Sequence, residues 1–158
     1  MKARVYLNSN VIHIISSLRS SRDVERIGIL VGKRLSNDKF VVENIVIPTH
    51  KSNYVSVEVI DYTTLIPYVT KVIGWCHGGG AHFYHAFHSF TDVETSLTMA
   101  KLCRRPIVSI CFSRDSYDCR VFTPDGKWYR CEIVKTSRLK LKLMELIDKL
   151  RKLLSRHV

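Results

Sequence analysis

Residues 26–33 read Arg-Ile-Gly-Ile-Leu-Val-Gly-Lys and residues 40–47 read Phe-Val-Val-Glu-Asn-Ile-Val-Ile. The first run is short, rich in β-branched residues and flanked by polar ones, which predicts a buried strand. Ser36-Asn37-Asp38 supplies turn chemistry, so the second run returns as the other arm of a hairpin that Pro48 ends.

Outward from this hairpin the pattern alternates between helix and strand. Asn8 or Ser9 caps a helix over 9–20, with Val11, Ile12, Ile15 and Leu18 along one side. Residues 54–59 alternate as a short strand, 61–70 have helical spacing interrupted by Pro67, and 72–76 form a further strong strand. A helix over 91–102 carries Val93, Leu97 and Ala100, and strands follow at 107–112, 118–122 and 128–134. The last two are separated by the turn Thr123-Pro-Asp-Gly126. Residues 137–154 form an amphipathic helix whose stripe is Leu139, Leu143, Leu146, Ile147, Leu150 and Leu154. Packing on its own sheet is the plainest use of that stripe. The expectation is one α/β domain, a central mixed β-sheet flanked by helices, over residues 1–135, with a basic amphipathic helix over 136–158 packed on it or extending from it.

A chain of 158 residues with 46% hydrophobic and 25% charged residues is a single ordinary globular domain. Its formal charge is +11, and residues 135–158 carry eight Lys and Arg against Glu145 and Asp148. Such a surface attracts acidic proteins, nucleic acid or anionic lipid without choosing among them. Lys and Arg are also what any solvated amphipathic face carries, so specific nucleic-acid binding is not the favoured reading. The five cysteines form no C-x-x-C pair, the N-terminus lacks the apolar core of a signal peptide, and no apolar run reaches bilayer-spanning length. A reducing, cytoplasmic location without a membrane anchor is expected.

Four of the seven histidines, His77, His82, His85 and His88, fall within twelve residues of one another, and Gly78, Gly79 and Gly80 follow the first. Neutral imidazole is the commonest side-chain metal ligand, and Asp92 and Glu94 are near in sequence. Read alone, the same residues also suit a glycine-rich surface loop, and Ser89-Phe-Thr-Asp92 fits a helix capping box. There is no H-E-x-x-H, no H-x-E with P-C-x-x-C, and no G-x-S-x-G.

Two segments taken together add a family. Glu25-Arg-Ile-Gly28-Ile-Leu-Val-Gly32 resembles the E-x-x-G-x-L-x-G strand of the JAMM (MPN-plus) zinc metallopeptidases. Gly74-Trp75-Cys76-His77 followed by Ser89-Phe-Thr-Asp92 resembles that family's G-W-x-H-[ST]-H-P and S-x-x-D. The likeness spans roughly residues 8–134. It implies an MPN-like fold with cytidine-deaminase-like layering and an isopeptidase that releases a ubiquitin-like modifier from a lysine amine. It further implies one Zn2+ per chain held by two histidines and an aspartate, with His77 and Asp92 among them. Glu25 is then the general base and Ser89 the oxyanion donor. The chain departs from the pattern in the second histidine: position 79 is Gly, and the span from His77 to Asp92 is two residues longer. A bulge of Gly78-Gly-Gly-Ala81 would return His82 to the metal, because glycine reaches positive φ cheaply. His88, one helical turn before Asp92, and His85 are the alternates.

Three functions compete at this level. An active zinc isopeptidase is favoured by Glu25, His77, Ser89 and Asp92 occurring together. A non-catalytic scaffold of the same family is favoured by the broken H-x-H. Nucleic-acid association through the basic C-terminal helix is the third, the least favoured, and the same helix could instead take an acidic protein, a partner helix or a second copy as a homodimer. Phe83 and Tyr84 are the groove candidates for an extended modifier tail, whereas Trp75, at a strand end, belongs to the core.

Overall fold

The computed structural model describes residues 2–155. In chain order its elements are β1 (Ala3–Leu7), α1 (Ser9–Arg19), β2 (Glu25–Ser36), β3 (Lys39–Val46), β4 (Thr49–Ser52), β5 (Val57–Asp61), β6 (Val72–Gly79), α2 (Phe90–Cys103), β7 (Ile107–Phe112), β8 (Tyr117–Phe122), β9 (Trp128–Lys135) and α3 (Arg138–Leu154). Short 3₁₀ segments lie at Thr63–Lys71 and Gly80–His82. Pro67 sits inside the first of these, where an α-helix had been expected; a proline there removes a ladder donor and crowds the preceding turn.

The sheet corrects the sequence expectation. Instead of an open MPN-like sheet flanked by helices, seven strands close into a barrel in the order β1-β3-β2-β6-β7-β8-β9. The strand responsible is β1, which the sequence reading did not recognise. Residues 4–7 pair in parallel with β3, and residues 3–7 pair in parallel with β9. Without β1 the remaining six strands would be an open sheet whose edges are β3 and β9. With it, neither edge is left unpaired. Strands β4 and β5 form a separate two-stranded sheet.

Two apolar clusters sit on opposite sides of the strands that carry the site. Val11, Ile15 and Leu18 of α1 join Leu30, Val42, Cys76, Val108 and Ile110 in one. Ala100, with Val93 and Leu97 beside it on α2, joins Ile27, Ile29, Trp75, Ile107 and Phe122 in the other. Side chains alternate along a strand, so Trp75 and His77 share the α2 side while Cys76 points to the α1 side. Asn8 caps α1 by accepting from the Val11 N–H at 3.0 Å. No helix among the described residues is long and apolar enough to cross a membrane.

Helix α3 packs on the barrel, but not through the leucine stripe that the sequence singled out. It touches the barrel through Leu141, which is buried against Tyr6, Leu35 and Val41, with Met144 beside it. Its leucine stripe does not pack on the sheet but stands in solvent. Arg156, counted above with the basic helix, lies outside the described residues, as do positions 157 and 158.

Candidate metal centre

Strands β6 and β7 run parallel, with His77 opposite Cys111 and Gly78 opposite Phe112. On the other flank β2 runs antiparallel to β6, with Ile27 opposite His77 and Glu25 opposite Gly79. Register parity therefore places Glu25, His77 and Cys111 on one face near the C-terminal ends of β6 and β7.

The glycine run then returns the chain. Gly78 and Gly79 do not bulge outward; they continue β6 in register with Arg26 and Glu25. The chain turns at Gly79 (φ 79°) and Gly80 (φ 53°), and the 3₁₀ turn carries His82 back over His77. A Cβ on Gly80 would meet the Tyr54 carbonyl oxygen at 2.3 Å, so this turn has no room for a side chain. Backbone bonds clasp it: the Gly80 N–H donates to the Ser21 carbonyl at 3.0 Å and the Ala81 N–H to the Tyr54 carbonyl at 2.7 Å. The outcome expected of the bulge, His82 beside His77, is reached by a strand extension and a turn.

The two imidazoles meet edge to face with ring centroids 4.7 Å apart. His77 Nε2 stands 3.4 Å from Asp92 Oδ2, and His82 Nε2 stands 3.2 Å from Glu25 Oε1. Cys111 closes the group: one donor atom each from His77, His82 and Cys111 lie within 4.8 Å of one another, and all three residues are buried. His77 Nδ1 and Nε2 and His82 Nδ1 are buried without a hydrogen-bond partner. Buried polar atoms are nearly always paired, so three orphans on two neighbouring rings require an explanation. A cation supplies one. Donors about 2.0–2.1 Å from a tetrahedral zinc stand about 3.3–3.4 Å from one another, close to the His77–Asp92 separation.

Asp92 is presented by the start of α2. Ser89 caps the helix, its Oγ accepting from the Asp92 N–H at 3.2 Å while its own N–H donates to Asp92 Oδ2 at 2.7 Å. Burial alone would raise the Asp92 carboxyl, but His77 and the Ser89 contacts outweigh it and hold that group well below the usual carboxylate range. The helix N-terminus favours the same anion. Cys111 behaves oppositely. Burial pushes its thiol well above the ordinary value, the Phe87 N–H offsets this only in part, and Asp92, Asp118 and Glu25 push it further. Without a cation it is a neutral thiol.

Of the alternates for the second histidine, His88 is engaged at both nitrogens. Its Nδ1 lies 2.9 Å from Asp118 Oδ2 and its Nε2 2.9 Å from Ser109 Oγ, while Arg120 pairs with Asp118 at 2.8 Å. His85 is exposed. Trp75 is buried, as expected, and stacks on His77 at 4.8 Å while its indole N–H donates to Ser96 Oγ. Phe83 is buried rather than a groove residue, whereas Tyr84, Phe87 and Phe90 are exposed and Phe87 lies against the His82 ring. The residue that sequence reading missed is Cys111. In Ile107-Val-Ser-Ile-Cys-Phe112 the alternation of Ser109 and Cys111 on one face was the available signal.

No family model matches this chain. No curated protein sequence matches it either. Among solved structures, the solution structure of protein DSY2949 from Desulfitobacterium hafniense is similar at a TM-score of 0.57 and 15% identity, covering 85% of this chain and 94% of that one. At that identity the likeness concerns the fold alone.

Proposed function

We propose that this chain is a zinc-dependent hydrolase of the isopeptidase type, with His77, His82 and Asp92 holding the metal and Glu25 as general base. The observation that carries the reading is the buried His77–His82 pair: three of its ring nitrogens, His77 Nδ1 and Nε2 and His82 Nδ1, lack a hydrogen-bond partner, while His77 Nε2 stands by Asp92 and His82 Nε2 by Glu25 at one end of the barrel. The substrate class, a ubiquitin-like modifier joined to a lysine amine, rests on the resemblance of residues 25–32, 74–77 and 89–92 to the JAMM metallopeptidases. Zinc, when bound, is a Lewis acid that acidifies water and polarises a carbonyl. Glu25 then accepts the water proton at its carboxylate and passes it to the leaving amine. Ser89 fixes Asp92 through both capping bonds, and because its Oγ only accepts there, its O–H proton is free for a developing oxyanion. Phe87, against the His82 ring, shields that side from solvent. All five cysteines are free thiols, which suits the reducing cytoplasm.

A second reading has one observation in its favour. Cys111 beside His77 and His82 would fill a fourth position and close the centre, as in structural zinc sites, which fits a non-catalytic interaction module. Metal analysis of the full chain with His77→Ala, His82→Ala and Cys111→Ser separates the two. One zinc per chain, lost in both histidine variants and kept in Cys111→Ser, supports the open, hydrolytic centre. Loss in Cys111→Ser as well supports the closed one. No zinc after reconstitution refutes both.

A further inference from the structure

Helix α3 is amphipathic in the wrong direction for a helix that belongs only to its own domain. Its contacts to the barrel include Leu141 in the core with Met144 beside it, the Lys33–Glu145 ion pair at 2.8 Å and a Lys152 bond to the Leu35 carbonyl. The opposite face holds Leu139, Leu143, Leu146, Leu150 and Leu153, spaced four, three, four, three. That is the a/d pattern of a coiled coil, about 21 Å long at 1.5 Å per residue. Ile147 and Leu154 widen it at the e positions. These seven side chains are 42–79% exposed and lie along one side of the helix. Leu141 and Asp148 occupy the f positions, so the barrel sits behind the seam and leaves it clear.

We propose that a second copy of this chain covers the seam, α3 pairing with α3 as a parallel two-stranded coiled coil. Three observations select that occupant. The spacing repeats at 3.5 residues, which suits knobs-into-holes packing against another helix. The exposed stripe amounts to about 700 Å² per chain and about 1,400 Å² for two copies, within the range of stable interfaces. The charges fix the direction. Lys142 and Lys149 are the g positions, and in a parallel pair each faces the e position five residues on, Ile147 or Leu154, along which a lysine stem can lie. Antiparallel helices would set Lys142 against Lys149. The two acids of α3 are already used within the chain, Glu145 with Lys33 and Asp148 with Lys152, so neither draws a basic partner.

The test is the mass of the full chain by sedimentation equilibrium, for the parent and for Leu146→Glu and Leu150→Glu. Both positions face solvent in the single chain, and circular dichroism verifies that the variants stay folded. The parent is expected at the mass of two chains, falling twofold in each variant. Leu139→Cys in a Cys103→Ser background, which removes the exposed native thiol, is expected to form a 139–139 disulfide, because only parallel helices bring the two seam ends together. A parent mass of one chain overturns the proposal, including the case where that monomer binds anionic vesicles through the stripe. A mass above two chains, or no 139–139 cross-link, overturns the parallel two-stranded arrangement.

Discussion

Replacing His77 by leucine should reverse its effect on stability according to whether metal is present. In the metal-free chain His77 places two unpartnered nitrogens in the interior, and a buried polar atom without a partner costs about 1–3 kcal/mol. Leucine is close in volume, carries no polar atom, and meets Trp75 on the same strand face. That gain is offset by the loss of the His77 neighbour that helps keep Asp92 ionised, so the metal-free variant should lie between parity with the parent and an excess of about 1–3 kcal/mol. With zinc at a hundred times its dissociation constant the parent gains about 2.7 kcal/mol by linkage and the variant gains nothing. For a chain of this length that gain is about 5–11 °C in Tm. Urea unfolding of both proteins in chelator and in excess zinc measures all four values. Two results refute the reasoning. A variant several kcal/mol weaker than the parent in chelator would mean that the His77 nitrogens are satisfied in the native chain. A parent indifferent to zinc would remove the cation that the orphaned atoms imply.

Glu25→Gln should keep metal and stability while reducing turnover of an isopeptide-linked ubiquitin-like substrate by about a hundredfold or more, the usual scale for a lost general base; a fully active variant assigns the proton transfer elsewhere. Gly80→Ala introduces no ligand change, yet forces a Cβ against the Tyr54 carbonyl at positive φ, so it should cost about 1–3 kcal/mol and weaken zinc binding by displacing His82. Titration of zinc into the variant checks this. Burial works against ionisation of Asp118, but His88 and Arg120 hold it well below its ordinary value of 3.8. A depressed carboxyl contributes stability that is present above the unfolded value and lost as pH falls toward the folded one. Asp118→Asn should therefore flatten the loss of stability below about pH 5, measured as urea midpoints across the acid range. Cobalt substitution reads Cys111 directly: a near-ultraviolet thiolate-to-metal band in the parent that vanishes in Cys111→Ser marks a coordinated thiol, and its absence from the parent leaves the fourth position open.

What sequence revealed and what it hid divide along a physical line. Strands β2, β6 and β7 are six to twelve residues long and buried along most of their length, and β3 buries four of its eight residues around Phe40-Val-Val42, so their apolar patterns announce them. Strand β1 is five residues long, and its burial follows from β3 and β9 standing on either side of it. No local property of Ala-Arg-Val-Tyr-Leu records those two pairings, yet they decide between an open sheet and a closed barrel. The site divides in the same way. Glu25, His77, Ser89 and Asp92 stand in recognisable spacings because one strand start, one strand end and one helix cap each fix their position locally. His82 needed the turn at Gly79 and Gly80, which the glycines signalled without fixing its path.

Cys111 lay furthest out of reach, because its place in the site comes from the parallel register of β7 on β6, a pairing between segments 34 residues apart. The same distinction explains α3. Its amphipathic pattern was plain, and the pattern said correctly that one face is apolar. Which face meets the barrel was set by Leu141 finding Tyr6, Leu35 and Val41, and by Glu145 finding Lys33. Once those contacts take the f and c positions, the leucine seam has to point away from the domain. A helix turned that way stabilises its own fold through one buried leucine and leaves seven large apolar side chains in water. Such a large exposed apolar surface marks an interface, and a seam with heptad spacing calls for another helix.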